Sequence, residues 1–195
     1  MRASRTPIKP RKAPSQARSR QTVEILLEGA ARVFRREGFG ATTNRIAEEA
    51  GVSIGTLYEY FPNKQSLLDA IAERHVEIAE REIAAALEAE GSTAELLARL
   101  QAAILASQRF PSQALALAAT ERDELGARAE ALRRSIASAL EARARAAGLD
   151  EPRLRALSAL GAIGDLSARA MYEHPAEHLA LARHHLAMAL ERLGG

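Results

Sequence analysis

Six side chains between Thr43 and Lys64 could do non-covalent chemistry on an anionic partner. They are Thr43, Asn44, Thr56, Tyr58, Tyr60 and Lys64. Four carry hydroxyls, one an amide and one an ammonium, so all can hydrogen-bond a phosphate oxygen or a base edge. The chain is 4% aromatic, yet it places Tyr58, Tyr60 and Phe61 within four positions. Packing accounts for Phe61, which reads as a core anchor. Two hydroxyl-bearing rings beside it point to a further purpose. Lys64 is the sharper anomaly. It falls in the first turn of a helix, where the dipole disfavours a cation. A bound phosphate would reverse that preference.

Bond-breaking chemistry has no comparable support. The sequence holds no cysteine, so thiolate nucleophiles, disulfides and thiolate zinc sites are excluded. No paired carboxylates at a useful spacing, placeable Ser–His–Asp set or phosphate loop is present. The reading is a non-enzyme without a cofactor. His174, His178 and His185 could share a helical face, but Pro175 interrupts it and no carboxylate converges there. With His184 they read as solvated or interface histidines, and no metal is expected.

The elements that must position the six side chains are helices. Ala, Leu, Glu and Arg dominate, and strand-like runs of Val, Ile and Thr are missing. The apolar face Val23, Leu26, Leu27, Ala30, Phe34 predicts a helix over 20–36. Thr42 is placed to cap a second over 43–50, Ser53 a third over 54–60, and Asn63 a long fourth over 64–88. Further helices are expected over 93–107, 112–119, 121–147, 152–172 and 176–193, separated by Gly and Pro breaks. The second and third helices have helix-turn-helix spacing. Ala47 supplies the small side chain where they touch, Gly51 makes the turn, and Leu57 plugs the joint. The third helix then offers Ile54, Gly55, Thr56, Tyr58, Glu59 and Tyr60 outward. Ile54 suits a thymine methyl, Gly55 permits close approach, and the Thr56 hydroxyl can reach a base or phosphate.

The stretch ILLEGAARVFRREGFGATTNRIAEEAGVSIGTLYEYFPNKQSLLDA, residues 25 to 70, resembles the N-terminal DNA-binding domain of the TetR/AcrR family of transcriptional regulators. Its marks are Ala-x-x-Phe in the first helix, GF before TT, IAxxAGVS, GTLYxYF and NK. The resemblance implies an all-α fold. A three-helix helix-turn-helix domain is followed by a helical domain for effector binding and dimerisation. It carries phosphate contacts onto Thr43, Tyr58, Tyr60 and Lys64, and base reading onto Ile54, Gly55 and Thr56, with Asn44 as a further contact. Tyr60 stands where many members have histidine. Ile54 stands where they often have a polar residue, which favours an apolar contact there.

Charge divides along the same line. Residues 1–20 carry seven Lys or Arg and no acid. Residues 1–64 have a net charge of +6, and the remaining 131 a net −4. The expected division is a disordered basic arm over 1–19, the DNA-binding domain over 20–66, and the ligand-binding and dimerisation domain over 67–195. The arm would add salt-dependent affinity for DNA. Apolar faces at Leu96, Leu97, Leu100, Ile104 and Leu105, at Leu132, Ile136 and Leu140, and at Leu154, Leu157 and Leu160 mark the second domain's core. The last two helices could also pair with their copies. A homodimer would set two recognition helices about one DNA turn apart on a palindromic operator. Candidate ligand contacts are Gln101, Gln108, Arg109, Phe110 and Tyr172, with Met171 and Gln113 beside them. A cavity around them would be lined mainly by Leu, Ile and Ala, which favours a largely apolar or small amphipathic molecule. No stretch of 18 apolar residues or secretory signal is evident, so no membrane partner and a cytoplasmic location are expected. The rival reading is an architectural helical protein that binds DNA non-specifically, without an effector.

Overall fold

The computed structural model describes residues 17–107, 110, 123–169, 184 and 186–193. Seven helices lie among them: α1 (Ala17–Glu37), α2 (Thr43–Ala50), α3 (Ile54–Tyr60), α4 (Lys64–Glu88), α5 (Thr93–Ser107), α6 (Asp123–Ala146) and α7 (Pro152–Arg169). A further helical segment covers 186–192. The predicted helix over 112–119 lies outside the described residues. None of the described helices is long and apolar enough to cross a membrane.

The helix starts follow from their caps. Thr42, Ser53 and Asn63 each have extended backbone, and each accepts a hydrogen bond from the N–H three residues on. Asn63 and Ser66 cap each other reciprocally at the head of α4. Gly51 ends α2 with φ 68°, a left-handed conformation that glycine adopts without a Cβ penalty.

Two apolar cores form, and α4 belongs to both. The first gathers Leu26, Leu27, Ala30 and Phe34 of α1, Ile46 and Ala47 of α2, and Leu57 and Tyr60 of α3 with Phe61 after it. Leu67, Leu68, Ile71, Val76 and Ile78 of α4 close it, together with Phe110 and Leu125. The second joins Ala79, Ile83 and Ala86 of α4 to Leu96, Leu97 and Leu100 of α5, Ile136 and Leu140 of α6, and Ala156 and Ala159 of α7. Of the leucine face expected to bury α7, Leu160 packs against the second core. Leu154 and Leu157 are 61% and 49% exposed, and the small Ala156 and Ala159 pack inward. Leu105 is likewise 38% exposed.

Helix α1 crosses α2 closely at Gly29. A Cβ on Gly29 would lie 2.8 Å from the Cβ of Ala50, so Gly29 permits the approach. Surface charges brace the same pair. Arg32 and Arg36 meet Glu49 at 3.0 and 2.9 Å, and Arg45 meets Glu37 at 3.0 Å and Glu48 at 2.6 Å. Hydrogen bonds from Arg45 hold the Glu37 carboxyl below its ordinary range. Those from Arg36, then Arg32, do the same for Glu49.

Two further ties bind α4 to the rest. Arg128 of α6 forks onto α4, gripping Glu80 through Nε and Nη2 at 2.8 and 2.6 Å and reaching Glu73 with Nη1. His75 is buried on α4, with Nδ1 2.9 Å from the Ser107 carbonyl oxygen and 3.1 Å from that of Phe110. Carbonyls only accept, so Nδ1 carries the proton.

Candidate nucleic-acid interface

Where α2 begins and α3 passes it, Thr43 Oγ1 and Tyr58 OH lie 2.9 Å apart in a hydrogen bond that either can donate. Tyr58 is 42% exposed and Thr43 is half-buried. Each hydroxyl keeps acceptor capacity, and one of the two keeps its proton for a further acceptor. The pair is thus set before any ligand arrives. At the head of α3, Ile54 is 37% exposed and Gly55 is exposed with only the Ser53 hydroxyl near its missing Cβ. Thr56 is half-buried. Its Oγ1 is 2.9 Å from Ser53 Oγ, and its N–H donates to the same oxygen at 3.0 Å. Asn44 and Glu59 are exposed.

Tyr60 departs from the outward orientation expected of it. It is 7% exposed and packs in the first core with Leu57 and Phe61. The cause is helical periodicity. At about 100° per residue, Tyr58 and Tyr60 stand about 160° apart around α3, so both cannot face the same partner. Tyr60 lies three residues from the buried Leu57 and shares its side.

Lys64 has partners within the chain. Its cation does not depend on a phosphate to explain it. Nζ donates to the carbonyl oxygens of Phe39 at 2.5 Å and Ala41 at 3.3 Å, on the loop between α1 and α2. The structural residues fall where the spacing put them: Ala47, Leu57 and Phe61 are buried, and Gly51 makes the turn. Two features had no signal in the sequence. The Thr43–Tyr58 bond spans 15 residues, and the Lys64 contacts span 25 and 23. No local period reports either.

Of the candidate ligand contacts, Gln101 is buried in α5 at 9% exposure and Phe110 is buried in the first core at 2%. Gln108, Arg109, Gln113, Met171 and Tyr172 lie outside the described residues, as do His174, His178 and His185. His184 is exposed. Among the described residues no three His, Asp or Glu side chains are grouped to hold a metal ion.

The sequence pattern of bacterial regulatory proteins of the tetR family matches residues 26–71. The nucleoid occlusion factor SlmA of Haemophilus ducreyi is 36% identical over 93 residues, 45% of this chain and 42% of that protein. The uncharacterized HTH-type transcriptional regulator YvkB of Bacillus subtilis is 39% identical over 57 residues, 29% of this chain and 30% of its own. The matched region thus spans less than half of either relative. Solved structures extend the likeness in fold to nearly the whole chain. The ketosteroid transcriptional regulator KstR2 of Mycobacterium tuberculosis superposes with a TM-score of 0.68 at 21% identity, covering 92% of this chain and 96% of that one. AibR, solved with isovaleryl coenzyme A and operator DNA, gives 0.61 at 23%, covering 86% and 97%. Residues 26–71 thus carry the sequence pattern of tetR-family regulatory proteins, and the helical body built on them shares the fold of KstR2 and AibR.

Proposed function

We propose that this protein is a sequence-specific DNA-binding regulator, a repressor that grips a palindromic operator as a homodimer in the cytoplasm and lets go when a largely apolar small molecule binds. The observation that carries the reading is the exposed hydroxyl pair of Thr43 and Tyr58, 2.9 Å apart, beside Ile54 and Gly55 at the open head of α3. Two fixed hydroxyls suit a backbone phosphate. Ile54, Gly55 and Thr56, with Asn44, are the base-reading set. Tyr60 supports them from the core.

Dimerisation is supported by the exposed Leu154 and Leu157 of α7, which with Glu151, Pro152 and Arg153 line a shallow hollow. Large apolar side chains left outward on a helix favour a partner surface. The division of labour follows: a basic arm over 1–19, DNA reading over 20–66, effector binding and pairing over 67–195. AibR, of the same fold, was solved with an acyl-coenzyme A and operator DNA. That supports an effector for this chain without identifying it.

The test is selection of bound genomic fragments followed by competition with random DNA. A regulator prefers its selected palindrome by about 10³-fold or more. Near-equal affinity for both would show an architectural binder instead. Thr56→Ala should change which fragments are selected more than how tightly they bind.

A further inference from the structure

We propose that the C-terminal end of α5 is a latch on the helix-turn-helix block: His75 fastens it to α4, Phe110 seats it in the first core, and an effector acts on DNA binding by releasing it. The proposal rests on the regulator reading above.

Helix α5 packs in the second core through Leu96, Leu97, Leu100 and Ala103. Phe110, three residues beyond its last residue Ser107, is buried instead in the first core, the one built on α1, α2 and α3. The chain therefore crosses from one core to the other between 107 and 110. His75 stands at that crossing. Its Nδ1–H is shared between the Ser107 and Phe110 carbonyl oxygens at 2.9 and 3.1 Å. Ser107 and Phe110 are themselves buried, so loss of that donor would leave their carbonyls poorly satisfied.

The neighbours of His75 mark the same level of α4 as a junction. Arg74 pairs with Glu24 of α1 at 2.9 Å, and Glu73 pairs with Arg128 of α6. Three consecutive side chains, each turned about 100° from the last, thus grip α6, α1 and the end of α5. An effector held in the second half lowers DNA affinity only by preferring one of two states of the molecule. The latch supplies them. In one, Phe110 is seated; in the other it is withdrawn, and the first core lacks one of its largest buried side chains.

His75→Leu removes the donor, whereas His75→Asn keeps an N–H near the Nδ1 position. In the protein without DNA, amide hydrogen exchange over 26–34 and 46–60 should speed up about five-fold in His75→Leu and less than about two-fold in His75→Asn. In Phe110→Ala, adding His75→Leu should change those rates less than about two-fold, because both changes act through one seated ring. Equal effects in both backgrounds would overturn the proposal. With the selected operator fragment, at a temperature where every variant is folded, His75→Leu should weaken binding about five-fold and His75→Asn less than about two-fold. Unchanged affinity in His75→Leu would also overturn it. If the wild type selects no fragment at all, the regulator reading falls. The exchange measurement, which needs no DNA, still decides whether His75 and Phe110 act as one latch.

Discussion

Acidifying the protein from about pH 7.5 to about pH 5.5 should cost it stability through the buried His75. Its ring is 8% exposed, and burial pushes its pKa below the ordinary 6.5, against the smaller opposing pull of the Phe110 and Ser107 carbonyls. The unfolded chain therefore takes up the proton first as pH falls. The contribution is complete above the ordinary value and is lost as pH drops below it, toward the folded value. A ring that stays neutral in the folded state across this range gives the upper limit. One unfolded-state proton on a group of ordinary pKa 6.5 then removes about 1.4 kcal/mol. In urea that is a midpoint shift of about 0.7 M for an m-value of about 2 kcal/mol/M. The carboxylates held low by arginines or by Ser92, namely Glu37, Glu49, Glu80 and Glu95, start from an ordinary 4.5 and lose their contribution below this window. The assay is urea unfolding at both pH values and fixed protein concentration, for the wild type and for His75→Asn. Asparagine keeps an N–H near the Nδ1 position and does not titrate. The pH sensitivity should shrink by up to about 1.4 kcal/mol in the variant, whatever its absolute stability. An identical midpoint shift in both proteins would refute the assignment.

Four other outcomes are expected. Tyr58→Phe should leave thermal stability within about 1 kcal/mol and weaken DNA binding about three- to ten-fold across sequences, measured by fluorescence anisotropy. Tyr60→Ala should cost about 3–5 kcal/mol of stability, while Tyr60→Phe costs little and leaves affinity nearly intact; denaturant curves and a binding titration check both. Gly29→Ala should destabilise by about 1–3 kcal/mol despite alanine's better helix propensity, because its Cβ meets Ala50; a rise in melting temperature would contradict the close approach. Arg128→Met should cost about 1 kcal/mol at low salt and less at high salt, since the fork is partly exposed and screened.

Much of the N-terminal helix-turn-helix block is legible because its signals are local. Thr42, Ser53 and Asn63 announce helix starts by the chemistry of capping, and α2 and α3 begin and end where these residues and Gly51 predict. The hydroxyl of Tyr60 suggests an outward side chain, but its three-residue offset from the buried Leu57 decides its side. The loop contacts of Lys64 have no local signal for the opposite reason. Its partners are carbonyls that any residue would carry, brought near only by the tertiary fold. The approach of Gly29 to Ala50 was equally silent, since a glycine within a helix gives no hint of what it faces. In the second half, alanine faces blur the pattern. Ala156 and Ala159 go inward while Leu154 and Leu157 stay out, a choice that hydrophobicity alone would reverse.

Helix α4 spends its first half in one core and its second half in the other, and this gives it a mechanical gain. Its 25 residues make a rod about 37 Å long. A tilt of about 5° at its far end carries Lys64 sideways by about 3 Å, close to the rise of one base pair. Leu67, Leu68 and Ile71 pack against α1, α2 and α3 within one core, so the three helices travel with the rod. In the proposed homodimer the two displacements would add to about 6 Å, enough to put two recognition helices out of step with successive grooves.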